Sequence, residues 1–149
     1  MTPEMNSRTL NAEAEIESLE EDGPPCIPVF EAVRFFMDAA GHTQPNDDTI
    51  LPLYLDFVDE EYAEVREAAE KGEAGELLKE LCDLLWVTAG AIHAMGVDPQ
   101  DAWTLLAVSN LTKINPKTGE CDRRADGKIL KPEGWEKPDF SKFFADKQD

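Results

Sequence analysis

Two predicted helices carry carboxylates at positions where their own pattern requires apolar side chains. In the first of them, inward-facing positions recur at steps of three and four residues, which is the period of a packed α-helix. Tyr54 and Phe57 begin this stripe, and Glu61 and Glu64 take its next two positions. An ionised carboxylate among apolar side chains is costly unless a positive charge meets it. The pattern therefore predicts a cation beside these acids.

The next predicted helix repeats this arrangement. Gly72 separates it from the first helix, and Glu80 then lies in a stripe between Leu77 and Leu84. Asp83 lies one turn from Glu80 on the same side. Each E-x-x-E or E-x-x-D step sets two carboxylates one helical turn apart, with roughly 5–6 Å between their β-carbons. On antiparallel neighbouring helices, two such pairs face each other across the interface.

Four converging carboxylates favour a hard divalent cation, since oxygen ligands suit Mg²⁺ or Mn²⁺. Such a box would hold two octahedral ions about 3.5–4 Å apart, the separation used by phosphate-cleaving metal pairs. The ordinary alternative is a solvated helix face, and for Glu67 and Glu70 it is the better interpretation. For the four paired acids it is disfavoured, because turning them outward would expose Phe57, Leu77 and Leu84. A salt-bridged or exposed face stays open as the alternative.

The rest of the chain supports an all-α fold. The helical segments show no alternation of period two, the pattern of a half-buried strand. Gly41 is an expected helix stop, and Asp98 followed by Pro99 is a helix start with an N-cap and a proline in the first turn. We expect a bundle of four to five helices with short connections. The predicted helices span about residues 28–41, 50–71, 73–95 and 98–115, with a weak short helix in the first 25 residues as the fifth.

The length of 149 residues suits one domain rather than two. Near its end the composition changes to Lys, Gly, Pro and Asp, which predicts an irregular tail. Asp126 and Gly127 mark a tight turn there, and they predict a short hairpin between Cys121 and Leu130. The predicted organisation is an acidic N-terminal arm at residues 1–25 and a single domain at residues 26–149, which includes the tail at residues 113–149.

The net charge of −18 is unevenly distributed. Residues 1–112 hold 5 basic and 24 acidic residues, whereas residues 113–149 hold 9 basic and 8 acidic ones. A surface this acidic repels nucleic-acid polymers, and no apolar run approaches the ~20 residues of a membrane span. Three cysteines without ligand-like spacing fit a reduced compartment, with Cys82 as a small core residue. We expect a cytoplasmic protein, or one of the host cytoplasm if its source is viral.

The E-x-x-E, spacer, E-x-x-D arrangement resembles that of the MazG-like, all-α nucleoside triphosphate pyrophosphohydrolases. This group includes relatives of phosphoribosyl-ATP pyrophosphohydrolase and of the dimeric dUTPases. Residues 33–41 look like the family's first helix, and residues 109–113 are similar to its N-x-x-K motif. Residues 124–135 resemble the tail of small bacterial and phage members. The resemblance covers about residues 29–139.

The resemblance implies metal-dependent hydrolysis of a (deoxy)nucleoside triphosphate to the monophosphate and pyrophosphate. Glu60 matches the family's extra glutamate, which helps hold a metal or accepts a proton from the attacking water, and with Glu61 it is the expected catalytic pair. Lys113 could equally serve the C-terminal dipole of its helix. Carried over by motif, the metal ligands for Mg²⁺ or Mn²⁺ are Glu61, Glu64, Glu80 and Asp83, and the phosphate contacts are Asn110, Lys113, Lys128 and Lys131.

Substrate choice and competing functions stay open at this point. His42, Gln44 and Asn46 supply donors and acceptors that suit a base edge, but dUTP and (d)GTP are both compatible with the sequence. Phosphoribosyl-ATP is a further alternative among enzymes. A non-catalytic helical module, whose acidic face docks a basic partner, is the alternative outside them. The family also implies a homodimer or homotetramer in which helices of two chains share a core.

Overall fold

The computed structural model describes residues 27–147, so the predicted N-terminal arm and its weak helix lie outside the described residues. The described part contains no strand, and the prediction of an all-α bundle is confirmed. None of its helices combines the length and apolarity that a membrane crossing requires. The helices are α1 (Val29–Ala39), α2 (Ile50–Lys71), α3 (Ala74–Ala94) and α4 (Pro99–Leu111), followed by a 3-10 helix (Ser141–Lys147).

Helices α2 and α3 form a tight antiparallel hairpin. α2 ends where Gly72 adopts the left-handed conformation, with a φ of 71°. Its N–H donates to the carbonyl oxygens of Ala68 and Ala69, which satisfies the last turn of the helix. Only two residues separate the helices, and α3 begins at Ala74. Glutamates on facing sides of α2 and α3 are therefore brought into register.

The core lies where α1 crosses the α2–α3 hairpin. The side chains of Val33 and Met37 from α1 are fully buried, and Tyr54 from α2 is 2% exposed. The Tyr54 ring lies against Gly90 of α3, where an added β-carbon would come within 2.1 Å of a ring carbon. Glycine at this position therefore allows α2 and α3 to approach closely.

Helix α4 begins as predicted but packs lightly on the bundle. The Asp98 side chain accepts a hydrogen bond from the Asp101 N–H at 3.0 Å, and Pro99 follows the cap. Pro99 and Ala102 are the buried residues of the helix, and both lie in its first turn or next to it. Farther along, Leu111 is 61% exposed. The helix therefore extends beyond the core and carries the C-terminal tail away from it.

The predicted hairpin forms as a turn rather than as a pair of strands. Gly127 has a φ of 85°, and a single antiparallel bridge joins Arg123 to Ile129. The Leu130 N–H donates to the Asp122 carbonyl oxygen at 2.8 Å, which closes the turn. Apart from a second bridge between Ile114 and Cys121 and the 3-10 helix, the described residues of the tail are irregular, as the composition predicted.

The prediction that Cys82 is a core residue is wrong. Cys82 is exposed on α3, beside Leu78, Leu81 and Leu85. These four positions share one helical stripe, and Leu78 is 64% exposed. Helix α3 thus has two apolar faces, of which one packs against α1 and α2. The second face is open in the single chain.

Candidate metal centre

Three glutamates converge at the middle of the α2–α3 interface. Glu61 and Glu64 lie one turn apart on α2, and Glu80 faces them from α3. Each offers a carboxylate oxygen, and the three oxygens lie within 4.8 Å of one another. Carboxylate oxygens at this spacing are suited to a hard divalent cation. The structure brings together three of the four acids that the sequence predicted as metal ligands.

Burial makes this arrangement costly without a cation. Glu80 is 4% exposed, which is rare for an acid. The Oε2 atom of Glu61 is buried and has no hydrogen-bond partner in the structure. A buried acceptor without a partner costs about 1–3 kcal/mol, and more when it is charged. The donor set and this unpartnered oxygen therefore fit a divalent ion.

The electrostatics of the cluster lead to the same interpretation. Burial raises the pKa of the Glu61 carboxyl, and the charges of Glu64 and Asp83 raise it further. The nearby charge of Glu80 raises the pKa of Glu64. Glu61 and Glu64 are therefore harder to ionise than usual, because burial and neighbouring negative charges disfavour their charged forms. A bound cation would reverse this effect and favour the ionised forms that coordinate metal.

Asp83 and Glu60 lie at the rim of the cluster. Asp83 is not within the converging group, and its side chain is 45% exposed. Its charge still raises the pKa of Glu61, although burial and the charge of Glu64 have larger effects. Glu60 is exposed, and its charge adds to the larger effect of Glu80 in raising the pKa of Glu64. The two remaining predicted acids thus border the three central ones.

The family model described as phosphoribosyl-ATP pyrophosphohydrolase matches residues 36–110. The chain belongs to this family. The family is part of the MazG-like, all-α nucleoside triphosphate pyrophosphohydrolase superfamily. The matched segment spans the whole α2–α3 hairpin with its carboxylates. No curated protein matches the chain.

Membership of the phosphoribosyl-ATP pyrophosphohydrolase family has two general consequences. The family implies pyrophosphohydrolase activity on nucleotide-like substrates. Its members are typically dependent on divalent metals, which agrees with the acidic cluster. The matched segment ends at residue 110, so the tail at residues 113–149 lies beyond it.

Three of the predicted phosphate contacts of this family member come together around one tryptophan. The Lys113 ammonium donates to the Asn110 side-chain oxygen at 2.8 Å. The ammonium groups of Lys131 and Lys113 lie 4.3 and 5.2 Å from the centre of the Trp135 ring. The Trp135 N–H in turn donates to the Ser109 carbonyl oxygen at 3.2 Å. The tail thereby contacts the end of α4 through Trp135, with two cations close to its ring.

The fourth predicted contact, Lys128, is exposed in the tail turn, where its backbone N–H donates to Asp126. Trp135, beside which Lys113 and Lys131 lie, and the carboxylates border different cavities. Glu64 and Glu80 border a cavity of about 240 Å³. Trp135 borders a groove of about 650 Å³ beside α4, and the two share no lining residue. Within one chain, the cations and the carboxylates therefore occupy separate sites.

The proposed base-reading residues lie at the end of the bundle opposite the Gly72 connection. His42, Gln44 and Asn46 line a polar cavity of about 400 Å³, which Ile50 also borders. The eleven residue-to-residue steps from Ile50 to Glu61 correspond to about 16 Å along the helix. The His42 Nδ1 atom hydrogen-bonds the buried Tyr54 hydroxyl at 3.2 Å, which fixes this ring. His42 therefore has a structural contact as well as a side facing the cavity.

Sequence reasoning did not single out Lys79, which contacts the cluster directly. Its ammonium lies 2.9 and 3.0 Å from the two carboxylate oxygens of Glu80 and 3.0 Å from Asp83. These hydrogen bonds raise the pKa of Lys79 and lower that of Glu80. The sequence did carry a signal, because Lys79 is the only lysine or arginine between positions 72 and 112.

Proposed function

We propose that this protein hydrolyses a nucleoside triphosphate to the monophosphate and pyrophosphate with the aid of Mg²⁺ or Mn²⁺. The observation that supports this proposal most directly is the convergence of Glu61, Glu64 and Glu80 within 4.8 Å. It lies inside the segment that matches a pyrophosphohydrolase family. A structural salt-bridge cluster would pair each acid, but the buried Glu61 oxygen has no partner in the structure.

In this proposal, Glu61, Glu64 and Glu80 hold the first cation. When bound, such an ion would supply positive charge to the phosphate oxygens and would make the attacking water more acidic. Asp83 at the rim is placed to help hold a second ion. Glu60 is exposed beside the cluster, where its carboxylate can accept a proton from the attacking water. The catalytic pair is then Glu60 and Glu61.

The tail supplies the contacts to the triphosphate. Asn110, Lys113 and Lys131 form one polar group around Trp135, and Lys128 lies in the adjoining turn. These lysines bring positive charge to an otherwise acidic chain, so an incoming polyanion is attracted to the tail rather than to the bundle. The separate cavities require the tail to approach the carboxylates when substrate binds, either in its own chain or in a second copy.

Phosphoribosyl-ATP is a second candidate substrate, favoured by the description of the matching family model. Its scissile bond also joins two phosphates of a nucleotide, so the same carboxylates would serve. The reaction chemistry does not discriminate between it, dUTP and (d)GTP. The discrimination rests with groups that read the base or the second ribose, for which His42 and Gln44 are candidates.

A substrate panel tests the proposal. Pyrophosphate release should be measured for the ribo- and deoxynucleoside triphosphates and for phosphoribosyl-ATP, each with Mg²⁺ and with Mn²⁺. We expect release from at least one of them, with none when a chelator replaces the metal. If no compound releases pyrophosphate with either metal, the proposed enzymatic activity is refuted. A docking module would instead bind a basic protein with an affinity that falls as salt is added and that does not depend on divalent metal.

We also propose that the protein is at least a homodimer. The open face of α3 carries Leu78, Leu81 and Leu85, each at least 47% exposed. Exposed apolar side chains on one helical stripe mark an association surface. A second copy is the fitting occupant, because a two-fold axis would pair this apolar face with itself.

Light scattering at micromolar protein tests the dimer. We expect a mass of at least twice the 16.6 kDa of the chain. Leu81→Lys should lower this mass towards that of the monomer, because it puts a charge in the apolar face. Glu70→Lys, an exposed change outside this face, should leave the mass unaltered. A native mass of one chain would refute the proposal.

A further inference from the structure

One ammonium group occupies three of the oxygens that a metal would use. The Lys79 Nζ atom lies 2.9 and 3.0 Å from the Glu80 oxygens, so it spans the whole carboxylate. It also lies 3.0 Å from an oxygen of Asp83, one turn farther along α3. A lysine has three donors, and here each of them has a carboxylate oxygen within reach. The Lys79 ammonium thereby occupies the position expected for a metal cation.

Without a metal, the cluster depends on this ammonium. Glu80 is 4% exposed and borders Glu64 and Glu76, which are acids. Removing the partner of a buried charge is destabilising, because it leaves that charge uncompensated. The other nearby lysine, Lys71, pairs with Glu67 at 2.7 Å. Lys79 is therefore the cation that compensates Glu80 in the metal-free chain.

The same ammonium can leave the cluster readily. The Lys79 side chain is 58% exposed, so its head can move into water with little loss of packing. A divalent ion needs the lone pairs that the lysine protons occupy, and it has twice the charge. Metal and ammonium thus compete for the same oxygens of Glu80 and Asp83.

We propose that Lys79 is the resident counter-cation of the carboxylate cluster, that a divalent ion displaces it from Glu80, and that it thereby sets the metal affinity of the site. This inference rests on the proposed metal-dependent function. It assigns to Lys79 a positioning role, in which the side chain acts through the ligands rather than on the substrate. The competition predicts that one substitution changes metal affinity and metal-free stability in opposite directions.

The test compares Mn²⁺ binding and thermal unfolding of the full-length native protein with those of Lys79→Met. The methionine keeps much of the aliphatic stem and removes the charge. In chelator, the variant should unfold about 3 °C lower, as expected for a loss of roughly 1 kcal/mol in a chain of this size. By calorimetry it should bind Mn²⁺ about tenfold more tightly. Lys71→Met, which breaks only the Glu67 pair, should leave the Mn²⁺ affinity within about twofold of native.

Lys79→Arg provides a second test that does not depend on folding of the neutral variant. A guanidinium binds carboxylates in two-pronged fashion and holds them more firmly than an ammonium does. Mn²⁺ should therefore bind more weakly to this variant than to the native protein. If Lys79→Met binds Mn²⁺ no more tightly than the native protein, the inference about Lys79 is overturned. Binding of Mn²⁺ by the native protein would still support the proposed metal site in that case. If the native protein binds no Mn²⁺, the inference and the proposed function both fail.

Discussion

Replacing Glu61 with glutamine should lower pyrophosphate release by at least roughly a thousandfold without weakening the fold. The loss is expected because Glu61 is one of the three converging acids, and its buried Oε2 atom has no hydrogen-bond partner among the described residues. Metal stabilisation of a phosphoryl transition state is worth several kcal/mol, and about 1.4 kcal/mol corresponds to tenfold in rate. An amide supplies a neutral, weaker ligand and cannot replace the carboxylate charge.

The fold should tolerate this change because the native charge is unfavourable. Burial and the charge of Glu64 raise the pKa of Glu61, so its ionised form is destabilised in the folded chain. Glutamine has nearly the same shape and removes one of the repelling charges. In chelator, the unfolding temperature of Glu61→Gln should equal or exceed that of the native protein. A catalytic loss with retained stability separates a functional acid from a structural one.

Glu70→Gln is the matched control for this variant. Glu70 is on the same helix and is exposed, and the sequence pattern assigns it to the solvated face. Its activity should stay within about twofold of native. Calorimetry with Mn²⁺ should show weakened binding for Glu61→Gln and unchanged binding for Glu70→Gln. Activity of Glu61→Gln within tenfold of native would contradict the assignment of this residue to the metal centre.

The helices could be predicted from sequence because their ends carry local chemistry. α2 spans Ile50–Lys71, which is the range predicted, since Gly72 forces a left-handed turn after it. The start of α4 was predicted from the cap at Asp98 and the proline behind it. The pairing of acids across α2 and α3 followed from the helical period and from a loop too short for any arrangement but an antiparallel one. These signals need no tertiary information.

The details that sequence could not supply depend on how each helix is rotated and on what lies beside it. A rotation of α3 decides whether Asp83 joins the central group or lies at the rim, and the period alone tolerates both. The error over Cys82 has the same origin, because an apolar residue in a helix with two apolar faces can lie on either. The role of Trp135 in gathering Lys113 and Lys131 requires a contact between segments that are far apart in sequence.

The largest effect on stability is expected from Gly90→Ala. The new β-carbon would lie 2.1 Å from one carbon of the Tyr54 ring and 2.3 Å from the next. The ring cannot move aside, because it is 2% exposed, its hydroxyl is hydrogen-bonded to His42 and its edge contacts Phe57. The helix axes must therefore separate. We expect a net loss of roughly 2 kcal/mol in the free energy of unfolding, after the intrinsic helix preference of alanine is included.

Gly75→Ala, in the same helix, gives the matched control in chemical denaturation. A β-carbon there meets nothing within 4 Å, so only the backbone effect remains, and stability should rise by about 0.5–1 kcal/mol. The same substitution is thus expected to lower the free energy of unfolding at position 90 and to raise it at position 75. This difference distinguishes steric overlap from helix propensity. The double variant Gly90→Ala with Tyr54→Leu should lose less than the sum of its single changes, because the smaller side chain makes room for the methyl group. Additive losses would show that the Tyr54 ring is not what confines residue 90 to glycine.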